Sequence, residues 1–328
     1  MKKIYFLSAL LISSLSFGQV ALPHHDALNY TVGQALQTQT GWTVLNTGDD
    51  LAITAGNLSY PGMPASAGNK IAFGGAGIDA GKDFTSQTTG TVYYSLLLNV
   101  TDLTATTSVT GGYCAGLVQG TSSSFGATLW LKKIDANTFN IGINTRTTAA
   151  NSVYSPSAYN INQTYLIVAS YTFNGSAADD VVNLWVNPVL GGAEPTALAT
   201  ATNAGGTDLT SAARFLVRQG SATDTPNIEL DEFRFATTWS DVTSVTLGVA
   251  ENNISGLKVY PNPAKTNLFV TSDNFEAKKV EIYNVLGKSV LSATVTNAPV
   301  NVSALTTGVY MVKVTEEGKT ATRKLVIE

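Results

Sequence analysis

The chain has 328 residues, enough for one large domain and one small one. Charged residues make up only 13% and the formal net charge is −4, which excludes a disordered charged-tail protein and argues against nucleic acid as a partner. Gly, Thr, Ser and Asn are abundant, and long apolar stripes of helical period are absent. This composition predicts short strands joined by many turns.

The opening residues, MKKIYFLSALLISSLSFGQV, have the pattern of a secretory signal. Two lysines precede the stretch 4–17, which is apolar but too short and too rich in Ser to span a membrane. Ser16 and Gly18 are small residues at the −3 and −1 positions of a cleavage site. We therefore expect a signal peptide at 1–18, export by the Sec machinery, and a mature chain without a transmembrane segment that begins at Gln19.

Strand-like segments fill residues 19–248. Each is bounded by Gly, Asn, Asp, Pro or Ser, the residues that form turns. Apolar and polar residues alternate along them, as in half-buried strands. Because no helices intervene, we predict an all-β fold, a large two-sheet sandwich of jelly-roll type. The segments are 69–75, 90–100, 126–134, 138–145, 164–173, 180–188, 213–220 and 227–239.

The polar stretch 249–256 is predicted to be a linker. After it, residues 257–328 form a smaller set of strands, which predicts a small Ig-like β-sandwich. This part opens with LKVYPNPAKTNLFV, in which Pro261 and Pro263 cannot donate ladder hydrogen bonds. The first strand is therefore expected to end at Tyr260, and a rigid turn to follow.

The tail also resembles a known family. The motifs LKVYPNPAKTNLFV, VEIYNVLGKSV and LTTGVYMVKVTEEGKTATRKLVIE occur in the order found in the type A C-terminal sorting domain of the type IX secretion system of Bacteroidetes. The resemblance implies Sec export, then passage through an outer-membrane translocon to the cell surface or the medium. The tail is then usually cleaved, and both surface anchoring and release remain open. The residues that carry the motif are Tyr260, Pro261, Asn262, Pro263, Gly287, Gly308 and Tyr310.

The segments 171–188 and 215–243 are similar to hairpins and final strands of concanavalin A-like or laminin-G-like jelly rolls. Some members of that superfamily are glycoside hydrolases with carboxylates in E-x-D-x-E order, a spacing that places acid and nucleophile on one strand face. Here ELDEFRF supplies Glu229 and Asp231, but Phe233 stands where the second Glu would be. We expect these carboxylates to be structural.

The neighbouring acid and base of this motif, Glu232 and Arg234, are expected to pair with each other or with a neighbouring strand. Other catalytic groups are scarce, because the chain has one cysteine, Cys114, and two histidines, His24 and His25. We predict a buried Cys114 and a solvated strand lead-in at the histidines. Ser-His-Asp and Cys-His catalysis therefore have few residues from which to be built.

Carbohydrate binding is the better functional candidate, because sugars stack on aromatic rings and hydrogen-bond to amides. Trp185 lies between Asn183 and Asn187 on one strand face, and Trp130 is a second candidate. The alternative is that these tryptophans fill the core, as tryptophan usually does.

The resemblance to laminin-G-like domains also allows calcium, which such domains hold with loop carboxylates and carbonyls. Asp49 and Asp50 form one candidate pair and Asp179 and Asp180 another, with solvated turn acids as the alternative. Three functions stay open: a carbohydrate- or matrix-binding or adhesion module; a polysaccharide-degrading enzyme with an unrecognised site; and a structural surface or biofilm protein.

Overall fold

The computed structural model divides into two compact units, 1–246 and 247–328, each with its own hydrophobic core. The predicted signal peptide and residues 249–253 of the predicted linker lie outside the described residues. The described residues are 19–120, 123–203, 206–245, 254–274, 276–296, 298–317 and 319–328.

The first unit is built from strands β1 to β16, with two short 3-10 helices (Leu36–Thr38 and Ala149–Asn151) and one helical turn, α1 (Trp239–Val242). The strands are β1 (His24–Asp26), β2 (Trp42–Val44), β3 (Ala52–Thr54), β4 (Lys70–Phe73), β5 (Ala80–Gln87), β6 (Gly90–Asp102), β7 (Gly112–Val118), β8 (Phe125–Lys133), β9 (Thr138–Asn144), β10 (Val153–Tyr154), β11 (Tyr159–Asn160), β12 (Thr164–Phe173), β13 (Val181–Val186), β14 (Ala199–Thr202), β15 (Ala212–Val217) and β16 (Asn227–Ala236).

These strands form two antiparallel sheets among the described residues. Sheet I has the order β14-β13-β12-β6-β16-β4-β3, with β1 also paired to β16. Sheet II has the order β10-β9-β8-β7-β15-β5-β2, with β11 also paired to β9. The chain passes repeatedly from one sheet to the other, and the inner faces pack together into one apolar core. The predicted jelly-roll sandwich is confirmed.

A buried polar network ties the two sheets at the edge of this core. Asp26 on β1 of sheet I accepts hydrogen bonds from Lys82 Nζ at 2.8 Å and from Trp42 Nε1 at 3.1 Å, both in sheet II. Burial opposes ionisation of Asp26, but Lys82 and the hydrogen bonds outweigh it and lower its pKa. Because both partners are buried, loss of either would leave an uncompensated charge.

The outer face of sheet I is also covered. Side chains from β6, β12, β13 and β16 pack there against Leu58 and Met63 of a preceding loop and against α1. Trp185 lies within this second cluster, and its ring centroid is 4.8 Å from that of Trp239. Sheet I is therefore apolar on both faces.

The second unit contains two further sheets. Its strands are β17 (Lys258–Tyr260), β18 (Asn267–Thr271), β19 (Lys278–Asn284), β20 (Ser289–Val295), β21 (Val300–Asn301), β22 (Gly308–Glu316) and β23 (Lys319–Ile327). One sheet has the order β17-β18-β21 and the other β20-β19-β22-β23, and side chains from both share one core. The predicted small sandwich is confirmed.

Trp185→Ala should destabilise the first unit, because it removes one of the two buried tryptophans of the outer cluster of sheet I. We expect a loss of about 3–5 kcal/mol of unfolding free energy, measured by urea denaturation of the mature protein. Val189→Ala is the matched control, because Val189 lies near the same strand end but is 80% exposed. Equal stability of the two variants would contradict this packing.

Candidate functional site

The structure buries the tryptophan of the predicted sugar-binding group, whereas Asn183 is half-buried and Asn187 is exposed. Trp185 is 2% exposed, and its Nε1 donates to the carbonyl oxygen of Pro195 at 2.8 Å. Asn183 accepts a hydrogen bond from Thr200, and Asn187 caps the strand end by accepting from the amide of Leu166 at 2.9 Å. The alternation of side chains along the strand correctly predicted the face on which Trp185 lies. The loops that cover this face, however, leave its indole no surface for a sugar ring.

Trp130 lies on the outer face of sheet II, because its neighbours Leu129 and Leu131 point into the core. Its indole is only 3% exposed, and Nε1 donates to Thr128 Oγ1 at 2.9 Å. The half-buried ring of Tyr113 packs beside it, with 5.5 Å between centroids. Trp130 therefore supports a surface formed by other side chains.

Tyr154 forms a second part of this surface. It pairs with Gly142 in the sheet, and a Cβ on Gly142 would come within 2.6 Å of the Tyr154 ring. Glycine thus lets the ring lie against the sheet, and the hydroxyl reaches the carbonyl oxygen of Thr110, at 2.8 Å. Lys132 Nζ lies 4.7 Å from the centre of this ring.

Arg218 completes the group, with its guanidinium carbon 4.1 Å from the centre of the Tyr113 ring. A carboxylate oxygen of Asp79 lies 3.9 Å from Arg218 Nε. Burial raises the pKa of Asp79 to about 6, although Arg218 opposes that rise. We call Tyr113, Trp130, Lys132, Tyr154 and Arg218 the aromatic face. It combines π surfaces, phenol hydroxyls and two cations on one sheet.

Sequence reasoning identified Trp130 but missed Tyr113, Lys132, Tyr154 and Arg218. Gly142 was the available signal, since a glycine inside a strand often marks a close approach of another group.

The carboxylates of β16 have structural partners. Glu229 pairs with Lys70 at 2.6 Å, and Asp231 Oδ2 accepts from the amide of Leu58 at 2.9 Å. Burial raises the pKa of Asp231 to about 7. Glu232 pairs with Arg234 at 2.6 Å, which confirms the predicted pairing. Burial opposes ionisation of Glu232, but the hydrogen bond from His25, the nearby Ser66 and the charge of Arg234 lower its pKa to about 2.

The solvated lead-in predicted for the histidines holds for His25, which is exposed, but not for His24, which is partly buried. His24 and His25 belong to β1, where His24 stacks on Phe235 and His25 Nε2 lies 2.8 Å from Glu232 Oε2. Pairing with β16 draws them into the sheet edge. Cys114 is buried as predicted, and burial raises the pKa of its thiol to about 12.

The structure adds a third carboxylate to one predicted calcium pair. Oxygens of Asp179, Asp180 and Asp208 lie within 4.8 Å of one another. Burial raises the pKa of Asp180, and the Tyr171 hydroxyl donates to it at 2.5 Å. Clustered carboxylate oxygens suit Ca²⁺ in their donor chemistry. Asp49 and Asp50 do not join this group: both are exposed, and Asp50 instead accepts from Gln37.

The sorting motif has a clear geometry. The side chain of Asn262 donates to the carbonyl oxygen of Lys324 and accepts from the amide of Val326, each at 2.9 Å. Gly287, at φ +76°, forms the turn between β19 and β20. Tyr260 stacks on Phe269, with 5.5 Å between ring centroids. Gly308 begins β22, and the mostly buried Tyr310 donates to the carbonyl oxygen of Thr306.

Several solved structures are similar to this chain. They include the CBM2 module of the evolved Dit of Lactobacillus casei BL23 phage J-1, at 12% identity over 65% of this chain and 93% of that one, with a TM-score of 0.34. The binding domain of botulinum neurotoxin serotype D is 9% identical over 86% of this chain and 68% of that one, with a TM-score of 0.36. Lectin I-B4 from Griffonia simplicifolia is 8% identical over 53% of this chain and 89% of that one, with a TM-score of 0.29. TM-scores this low carry no functional information.

The calcium site is testable by thermal unfolding of the mature protein. If Ca²⁺ binds the three carboxylates, a concentration of ten times Kd should stabilise the protein by about 1.4 kcal/mol and EDTA should reverse the effect. Asp208→Asn should abolish the response, whereas Asp50→Asn, at the other predicted pair, should preserve it. A melting temperature that Ca²⁺ does not move would contradict the site.

A curated relative, ulvan lyase NLR42 of Nonlabens ulvanivorans, is 32% identical over 88 residues, which are 26% of this chain and 16% of that enzyme. The matched part thus spans about one sixth of the length of that enzyme.

No described helix is long and apolar enough to cross a membrane. Residues 258–328 match the model of the secretion system C-terminal sorting domain, in the order of motifs noted above. This part of the chain is therefore a type IX secretion C-terminal sorting domain, which directs export.

Proposed function

We propose that the protein is a type IX secretion cargo whose first unit binds carbohydrate or a carbohydrate-rich matrix through the aromatic face. The main observation in support is that Tyr113 and Tyr154, each with a cation beside its ring, lie on the outer face of sheet II. Sugars present C–H surfaces to rings and hydroxyls to charged groups, so both features of this face suit them.

The aromatic face is better placed for a ligand than either predicted alternative site. Trp185 lies under the loops of sheet I, and the carboxylates of β16 are held by Leu58, Lys70 and Arg234. A polysaccharide-degrading site would need two carboxylates that reach the substrate. A structural surface protein without a ligand is the second candidate, and it would need no such face.

After Sec export and loss of the signal peptide, the sorting domain takes the first unit through the outer-membrane translocon. The tail is then cleaved and the protein is either anchored or released, and in both cases the aromatic face meets external polysaccharide.

Deleting 257–328 should trap the protein in the periplasm of its native host, because the truncated chain lacks the sorting domain. Immunoblots of periplasm, cell surface and medium would measure this. Asn262→Ala is the finer variant, because it removes both hydrogen bonds to β23 and should reduce export. Unchanged secretion of the deletion would refute the role of the tail.

Polysaccharide retention tests the aromatic face. The mature protein is passed over immobilised plant, algal and bacterial polysaccharides, neutral and acidic, and retention and reducing-end release are both scored. Lys132→Ala and Tyr154→Ala should each weaken retention at least about tenfold, the effect of losing roughly 1.4 kcal/mol at a stacking or charged contact.

Lys133→Ala is the matched control, because Lys133 follows Lys132 in β8 but points its ammonium at the carbonyl oxygen of Leu103. Release of sugar ends would favour the enzyme, and absence of both signals would favour the structural protein.

A further inference from the structure

A pocket of about 300 Å³ opens beside the edge of sheet I, where β1 pairs with β16. None of its lining residues belongs to the aromatic face, which lies on the other sheet. Its volume is at the lower end of the range of ligand sites. The lining residues are Pro23, His24, His25, Pro64, Arg234, Asp241 and Ser244.

Arg234, one of the lining residues, carries an unsatisfied donor. Its side chain is 4% exposed, and Nη2 donates to Glu232 Oε2 at 2.6 Å. Its Nη1 is buried and has no hydrogen-bond partner among the described residues. A buried guanidinium N–H without a partner is costly, so an acceptor oxygen from a ligand would restore a strong, charge-assisted hydrogen bond.

The backbone next to Arg234 is strained, which is a second indication of a functional site. Glu232 has φ +56°, in a left-handed conformation that non-glycine residues rarely adopt, and the pairing of β16 with β6 shifts register between Asp231 and Arg234. Strain of this kind gathers at functional sites, where it aims a side chain.

The pocket also offers acceptors. Nε2 of His24 is buried without a partner among the described residues, and burial, with the nearby Lys82 charge, lowers the pKa of this imidazole, so the ring is neutral near pH 7 and Nε2 can accept. The half-buried carboxylate of Asp241 accepts from Thr238, at 2.5 Å, through one oxygen and has a second. Ligand hydroxyls can donate to these groups.

The charge of the lining disfavours an anion. Glu232 compensates Arg234 at 2.6 Å, and Asp241 adds a negative charge, while His24 is neutral. His25 faces Glu232 at 2.8 Å and adds a positive charge only when protonated. Two proline rings supply apolar walls. A ligand must therefore be small, uncharged and rich in hydroxyls that both accept and donate.

We propose that this pocket is a second binding site, which takes a single neutral sugar unit. Arg234 Nη1 donates to one hydroxyl oxygen of that unit, and Asp241 and His24 accept from others. The prolines contact its C–H surface. The site is independent of polysaccharide binding at the aromatic face.

Saturation-transfer NMR of the mature protein tests the site with simple probes: the methyl β-glycosides of glucose, galactose, xylose and N-acetylglucosamine, and methyl β-glucuronide as the charged comparison. At least one neutral glycoside should bind, and the glucuronide should bind more weakly. Asp241→Asn and Arg234→Lys should each weaken binding at least about tenfold, the usual effect of losing a charge-assisted hydrogen bond.

Lys133→Ala is the control outside both sites, because its ammonium points at the carbonyl oxygen of Leu103, and it should leave glycoside binding unchanged. Binding at the aromatic face alone would survive Asp241→Asn, which keeps the two sites distinguishable. Asp241→Asn keeps the experiment decisive if Arg234→Lys fails to fold, because Asp241 is not buried in the core. Absence of any neutral signal, stronger binding of the glucuronide, or binding that Asp241→Asn leaves intact would each overturn the proposal.

Discussion

The hydrogen bond from the Leu58 amide to the buried carboxylate of Asp231 decides which surface of the first unit can meet a ligand. It fixes the loop that carries Leu58 and Met63 over the outer face of sheet I, so that Trp185 becomes a core residue. A sheet buried on both faces has no room for a polymer. The outer face of sheet II, by contrast, keeps half-buried tyrosines at its surface.

The same strand shows how the protein manages two adjacent buried acids. Burial raises the pKa of Asp231 to about 7, whereas hydrogen bonding and the charge of Arg234 overcome burial at Glu232 and lower its pKa to about 2. Near pH 5 the pair therefore carries one negative charge rather than two, and Arg234 balances it. Buried ion pairs of this kind seldom add net stability, since desolvation offsets the attraction, but breaking one is costly. The arrangement orients Arg234 at the pocket beside β1.

The long strands β6, β12 and β16 were predictable from sequence because they are rich in β-branched and aromatic residues and are bounded by turn residues. The strands β5 and β7 were not, since AGKDFTSQ is rich in polar residues and GYCAGLV in glycine. Periodicity gave the face of Trp185 but not its burial, because the covering loop is distant in sequence. The aromatic face depends on Tyr154 reaching across Gly142 from a two-residue strand, and no local pattern predicts that contact. The cluster of Asp179, Asp180 and Asp208 was only partly predicted for the same reason, since Asp208 comes from a separate loop.

In the sorting domain, by contrast, a sequence motif and a tertiary contact are the same feature. Asn262 holds the backbone of β23 from both sides of Leu325, and Ala264 continues the contact with backbone hydrogen bonds to Val326 and Glu328. The residue between the two prolines thus closes the start of the domain onto its final strand. Because β23 is the most C-terminal strand of this domain, the domain can complete its core only after all of its other strands have been made.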